Sequence, residues 1–234
     1  MPTTLLAVDT ATDRCSVALA FDDVVDEQVE TVGHRHSERI LPMVRALLDA
    51  HRLRLADCDA VAFGAGPGAF TGLRIACGIA QGLAYGIGRP VIPVGNLAAL
   101  ALAASREHPL ARRILTAIDA RMEEIYWAAF AIESRLPRQM SAPALSPAAE
   151  LPELVQHWGP DLIAGNAVSM GQRSDAGWPC ATAPQACPGA GAIAALGRVA
   201  LASGQAVPAA LAAPVYVRDR VALTIDERRA GAQL

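Results

Sequence analysis

Hydrophobic and polar positions change period several times along the chain, and each change predicts an element. Thr4 to Val8 read as a short strand, Cys15 to Phe21 as a second, with Asp22-Asp23 as a hairpin turn, and Val24 to Val32 alternate as a third. The period then lengthens. Ile40, Leu41, Val44, Leu47 and Leu48 form the apolar stripe of a helix that ends near Arg52, with Ser37 placed to cap it and Glu38 at its positive end. Pro42 is expected to start or kink that helix. Ala60 to Phe63 suit a buried strand, broken by Gly64, Gly66, Pro67 and Gly68. Thr71 is placed to cap a second helix.

That second helix organises the chain. Ile75, Ile79, Leu83 and Ile87 recur every fourth residue, Ala76, Ala80 and Ala84 make the next row, and Gly78, Gly82 and Gly86 another. Residues four apart share a face, so one side is almost bare backbone. Glycine costs about 1 kcal/mol against alanine inside a helix, so three at that spacing imply a close approach by something. Packing on the protein's own sheet and pairing with a second chain both answer that description.

Pro90 to Val94 give a buried strand, Gly95-Asn96 a turn, and Leu97 to Ser105 an alanine-rich helix. His108-Pro109 marks a boundary, dividing the chain into lobes at 1–108 and 109–234. Beyond it, Ile114 to Ile118 run into Asp119-Ala120-Arg121, and Ile125 to Ile132 and Arg138 to Leu145 are further strands. A helix from Ala149 to Trp158, a strand at Leu162 to Ala164, an irregular 167–188, a helix from Ala190 to Ser203 and an extended ending from Pro214 to Asp219 complete the chain. The second half thus weakly repeats the first. The expected fold is α/β, a duplicated actin-like or sugar-kinase-type ATPase fold with ribonuclease H-like halves in two lobes.

Composition narrows the chemistry. The chain has 234 residues, 53% hydrophobic and 18% charged, with net charge −3, which leaves no basic footprint for nucleic acid. It contains no lysine, which removes P-loop nucleotide chemistry, pyridoxal enzymes and Schiff-base aldolases. Five cysteines without CxxC spacing fit a reducing compartment. No leader is expected, since Met1-Pro-Thr-Thr runs into a short strand without a positive n-region, and no membrane span, since the run between Arg74 and Arg89 is too short for one. His34 and His36 lack a third ligand and read as loop surface, as do His51, His108 and His157.

Catalytic candidates are sparse. Asp9-Thr10-Ala11-Thr12 would face a phosphate in an actin-like fold, but an Asx turn at a strand end describes it equally. Gly64-Ala-Gly66-Pro-Gly-Ala69 matches GxGxxA without the acid expected about 20 residues later. Asp119 with Glu123 and Glu124 could pair carboxylates, though turn solvation describes them as well.

Gly66-Pro-Gly-Ala-Phe-Thr-Gly-Leu-Arg74 closely resembles the TsaB (YeaZ) family, accessory proteins of threonylcarbamoyladenosine synthesis on tRNA. His36-Ser37-Glu38 with Leu41-Pro42, Asp119-Ala-Arg121 with Tyr126, and Tyr216-Val-Arg218 agree. The resemblance implies a non-catalytic relative of the subunit TsaD, pairing with it in a complex that the ATPase TsaE joins, and forming a homodimer when alone; the chain's net negative charge argues that it meets tRNA only through partners. The implied partner-binding residues are Glu38, Leu41, Arg45, Arg74, Ile75, Gly78, Gln81, Gly82 and Tyr85. Where TsaD carries a His-x-x-x-His metal pair, this chain has Asn96 and Leu100. The resemblance therefore implies no metal, no catalytic residue and no cofactor, with Asp9 and Thr12 at most a vestigial phosphate loop. The alternative is an actin-like ATPase or small-molecule kinase using Asp9 and Asp119.

Overall fold

The computed structural model describes residues 3–22, 24–171 and 177–218. In the first half, strands β1 (Leu5–Asp9), β2 (Arg14–Phe21) and β3 (Val24–Thr31) precede helix α1 (His36–Ala50). Strand β4 (Ala60–Gly66), helix α2 (Phe70–Gly86), strand β5 (Val91–Gly95) and helix α3 (Asn96–Glu107) follow. In the second half, β6 (Arg113–Arg121), β7 (Glu124–Glu133), β8 (Leu136–Gln139) and β9 (Ala144–Pro147) lead to helix α4 (Leu151–Trp158). Strands β10 (Leu162–Ala164) and β11 (Ala181–Ala183) and helix α5 (Ala190–Ala202) complete it.

The two sheets share one topology. The first has the order β3-β2-β1-β4-β5, and the second, read in the same sense, β8-β7-β6-β10-β11. In each, the first three strands are antiparallel neighbours and the last two join in parallel. This is the duplicated, two-lobed actin-like fold expected from the sequence.

Strand alternation assigns the layers, because successive side chains leave a strand on opposite faces. Leu6, Val8, Val17 and Phe63 pack with Ile40, Val44 and Leu47 of α1 and Ala76, Ala80 and Ala84 of α2. Leu5, Ala7, Ala18 and Ala62 point the other way, onto α3 and α5. Helix α3 also supplies Leu97, Leu100 and Ala101 to the second sheet, whose Ile114, Ile118 and Phe130 face it. Helix α4 covers that sheet's far side through Leu151 and Val155. Each fully buried Leu, Ile, Val or Phe contributes about 1.5–3 kcal/mol, so α3, buried from two sides, binds the lobes into one core. Helix α5 lies in the second half of the sequence yet packs on the first sheet, crossing the division drawn at residue 108.

Several local expectations are corrected. Helix α1 begins at His36 after Arg35, so Ser37 is not its cap; neither Ser37 nor Thr71 caps its helix, and α2 follows Ala69. Pro42 sits inside an unbroken α1 and is exposed. The bond it removes is to the Glu38 carbonyl, on the side where water can take over. Strand β4 continues through Gly64 and Gly66, which pair with Val94 and Gly95. Asn96 opens α3 rather than ending a turn. The strand expected over Arg138 to Leu145 is two, β8 and β9, both on β7. Strand β11 lies inside the stretch read as irregular. Of that stretch, 172–176 fall outside the described residues, as do Asp23 of the first turn and Asp219 of the extended ending.

Two histidines read as surface are not. His36 is buried and its Nε2 donates to the Thr12 carbonyl at 2.9 Å. His51 pairs with Asp26 at 2.7 Å and meets the Phe21 ring edge-on.

Candidate functional site

The glycine loop and the Asp9–Thr12 turn are built against each other. A Cβ on Gly64 would stand 2.0 Å from Asp9 Oδ1, and one on Gly72 would stand 1.9 Å from the Thr10 carbonyl oxygen. Thr10 Oγ1 donates to the Gly72 carbonyl at 2.7 Å, and the Ala69 N–H donates to the Ala11 carbonyl at 2.8 Å. Gly64 in β4 and Gly72 in the first turn of α2 thus give the turn after β1 its room.

Asp9 is buried, with Asn96 Nδ2 donating to its Oδ1 at 2.8 Å. The same carboxamide accepts the Gly66 N–H through Oδ1 at 2.6 Å. Burial pushes the Asp9 carboxyl up to about 6, against the opposing effect of the Asn96 hydrogen bond. Leu100, one helical turn beyond Asn96, is fully buried between α3 and the second sheet. Among the described residues, no three His, Cys, Asp or Glu side chains converge as a metal site would require.

Between the lobes lies a cleft of about 640 Å³. Thr12, Asp13, Pro67, Gly68 and Phe70 line it from the first lobe, and Asp119, Arg121, Tyr126 and Asn166 from the second. Asp9 is not among the lining residues. Thr12 reaches the cleft, but its hydroxyl already accepts the Arg14 N–H. Asp119 is occupied by the backbone and side chain of Arg121. A phosphoryl-transfer reading asks for Asp9 in the cleft, and the geometry gives it none of that access.

The second feature is the outer face of α1 and α2. The alanine row of α2 is buried on the sheet, while, apart from the neighbouring backbone of α2 itself, no described atom lies within 4 Å of where a Cβ on Gly78, Gly82 or Gly86 would sit. Packing on the protein's own sheet therefore explains the alanines and not the glycines. Arg74 is exposed on the same side, and Tyr85 is 78% exposed. Along α1, Glu38, Leu41 and Arg45 are exposed at helical spacing, with Leu41 45% exposed. Two of the expected partner residues are placed differently: Ile75 is half-buried, and Gln81 Nε2 donates inward to the Ala212 carbonyl at 2.8 Å.

The family model described as TsaD, tRNA N6-adenosine threonylcarbamoyltransferase, matches residues 22–173. A solved structure titled YeaZ from Pseudomonas aeruginosa is 41% identical, superposes with a TM-score of 0.81, and is matched over 92% of this chain and 99% of its own. The chain belongs to the TsaB/YeaZ family. The TsaB protein of Escherichia coli, named for tRNA threonylcarbamoyladenosine biosynthesis, is 50% identical over 126 residues. Its counterpart in Haemophilus influenzae is 50% identical over 124. These matches span about half of the curated relatives' length, 54% and 52%, and a similar share of this chain. Another solved Pseudomonas aeruginosa chain, 40% identical with a TM-score of 0.83 over 92% of this chain and all of its own, is titled as similar to peptidase YEAZ.

Sequence reasoning found the bare face of α2 from glycine spacing alone. It missed the Asp9–Asn96–Gly66 network, whose members lie far apart in sequence. The signal available was a polar residue, Asn96, standing directly before the apolar run from Leu97 to Ala104.

Proposed function

We propose that the chain is a non-catalytic subunit of the machinery that transfers a threonylcarbamoyl group to an adenosine of tRNA. Its outer α1–α2 face docks on the same elements of a TsaD-type catalytic subunit. A TsaE-type ATPase joins that complex, and in isolation the same face pairs two copies of the chain. The protein works in the cytoplasm, uses no metal or cofactor of its own, and meets tRNA only through its partners.

The observation that carries this reading is the row of Gly78, Gly82 and Gly86, helical glycines that meet nothing within the described chain. Such a row lets a second helix approach backbone to backbone. Asn96 and Leu100, where the resemblance aligns two metal ligands, support a non-catalytic role, because neither side chain is a usual ligand for a catalytic metal. The family match supports the reaction assigned to the complex.

Reconstitution tests it. Transfer RNA, threonylcarbamoyl-AMP, the TsaD-type subunit and the ATPase are combined with and without this chain, and modified adenosine is measured by nucleoside mass spectrometry. Modification that requires the chain supports the assignment. Equal modification without it overturns it.

A further inference from the structure

Residues 214–218 form a strap that touches both lobes within four residues. The Val215 N–H donates to the Ala65 carbonyl at the end of β4, at 2.7 Å. The Tyr216 ring lies 5.4 Å from that of Phe70, and its hydroxyl accepts Arg74 Nε at 3.0 Å. Arg74 itself stacks on Phe70 at 3.9 Å. Two residues later, the Arg218 guanidinium donates to the Ala120 carbonyl at 3.1 Å, lies 3.4 Å from Met122 Sδ and pairs with Glu124. The first set of contacts belongs to the first lobe and the second set to the β6–β7 turn of the other. The strap lines the cleft between them.

The turn that Arg218 grips is strained. Arg121, Met122 and Glu123 have φ of 65°, 56° and 59°, three successive left-handed residues without a glycine. Such a conformation persists only where the surroundings over-determine it. The turn between β7 and β8 has only two such residues, Ser134 and Arg135.

We propose that the strap is a latch that couples the exposed face of α2 to the strained β6–β7 turn across the cleft. Arg74 is its release point. It stands on the same exposed side of α2 as Gly78 and Tyr85, and a partner that engages its guanidinium takes it from Tyr216. The strap then loosens, and Arg218 loses its hold on the turn. The biological use of the latch rests on the docking face proposed above, but its mechanics belong to the lone chain and are tested there.

Amide hydrogen exchange on the full chain reads both ends. Arg74→Ala, wholly in the first lobe, is expected to raise exchange in the turn at 120–124 several-fold. Arg218→Ala is expected to raise exchange at Val215 several-fold. Unchanged protection of β1 reports an intact fold in both. Should Arg218→Ala fail to fold, Glu124→Ala removes the acceptor of the same pair from the other lobe. A response confined to the mutated end in each variant overturns the latch. With the catalytic subunit added, the turn should exchange faster in wild type and show no further increase in Arg218→Ala. Binding without that increase overturns the latch and leaves the docking face standing. Absence of binding counts against the docking face, while the lone-chain variants still decide the latch.

Discussion

Asn96 holds Asp9 and the glycine loop in one grip, donating to the carboxylate at 2.8 Å and accepting the Gly66 N–H at 2.6 Å. The pair sits where β1, β4 and α3 meet, so one carboxamide fixes three elements. Replacing it with alanine leaves a buried carboxylate and a buried N–H with one partner fewer each. Asn96→Ala is therefore expected to destabilise by about 2–4 kcal/mol. Urea unfolding measures it, as a lower midpoint at unchanged slope.

Asp9 also makes stability depend on pH, and the sign is opposite to that of a salt-bridged acid. Its folded value, about 6, lies above its ordinary value of 3.8. Between those values the folded state binds more protons than the unfolded one, so stability rises as pH falls through 6 toward 4. A two-unit shift corresponds to about 3 kcal/mol, all of it a penalty above pH 6 and none of it below pH 4. Asp9→Asn keeps the size and an acceptor for Asn96 while removing the titration. The difference in unfolding free energy between wild type and variant, measured from pH 4 to 7.5, should widen with pH in the variant's favour. A flat difference would show that Asp9 is not the group responsible.

The glycines divide into two kinds that only the structure separates. Gly64 and Gly72 lie against Asp9 and Thr10 with no room for a methyl group, whereas Gly78 and Gly82 look into open space. Gly72→Ala is expected to destabilise by about 3 kcal/mol or more, since the neighbour is backbone and cannot turn aside. Gly82→Ala is expected to stabilise by about 0.5–1 kcal/mol, the helix propensity of alanine over glycine. Thermal melts of the two variants should move in opposite directions.

How far these distinctions were legible follows from range. The strands of the first lobe and the bare row of α2 are legible from local pattern, apolar runs, alternation and glycine spacing, because each is written within one short stretch of chain. The Asp9–Asn96 bond joins positions 87 apart, and local pattern carries no register between them. Gly72 and Gly78 both lie in α2 and look alike in sequence, because the group that needs the space at Gly72, the Thr10 carbonyl, comes from the turn after β1. Strand β11 is three residues long, too short for a period to show. His36 looks like loop surface in the sequence because its partner, the Thr12 carbonyl, is a backbone group that leaves no trace in side-chain pattern.

The same open face gives the docking proposal a variant whose effects on folding and binding should separate. Gly82→Arg puts a long cation where a second helix must approach, in a position where the chain itself has nothing to clash with. Arginine is also a better helix former than glycine, so the variant should melt no lower than wild type. It should nevertheless fail to co-elute with the TsaD-type subunit on gel filtration, and light scattering should show a monomer where the proposal expects a wild-type dimer. Tyr85→Ala grades the same surface more gently. An exposed tyrosine at the centre of an interface is typically worth about 1–2 kcal/mol or more, so affinity should fall roughly tenfold by calorimetry with the melting temperature unchanged. Full affinity in both variants would move the interface off α2.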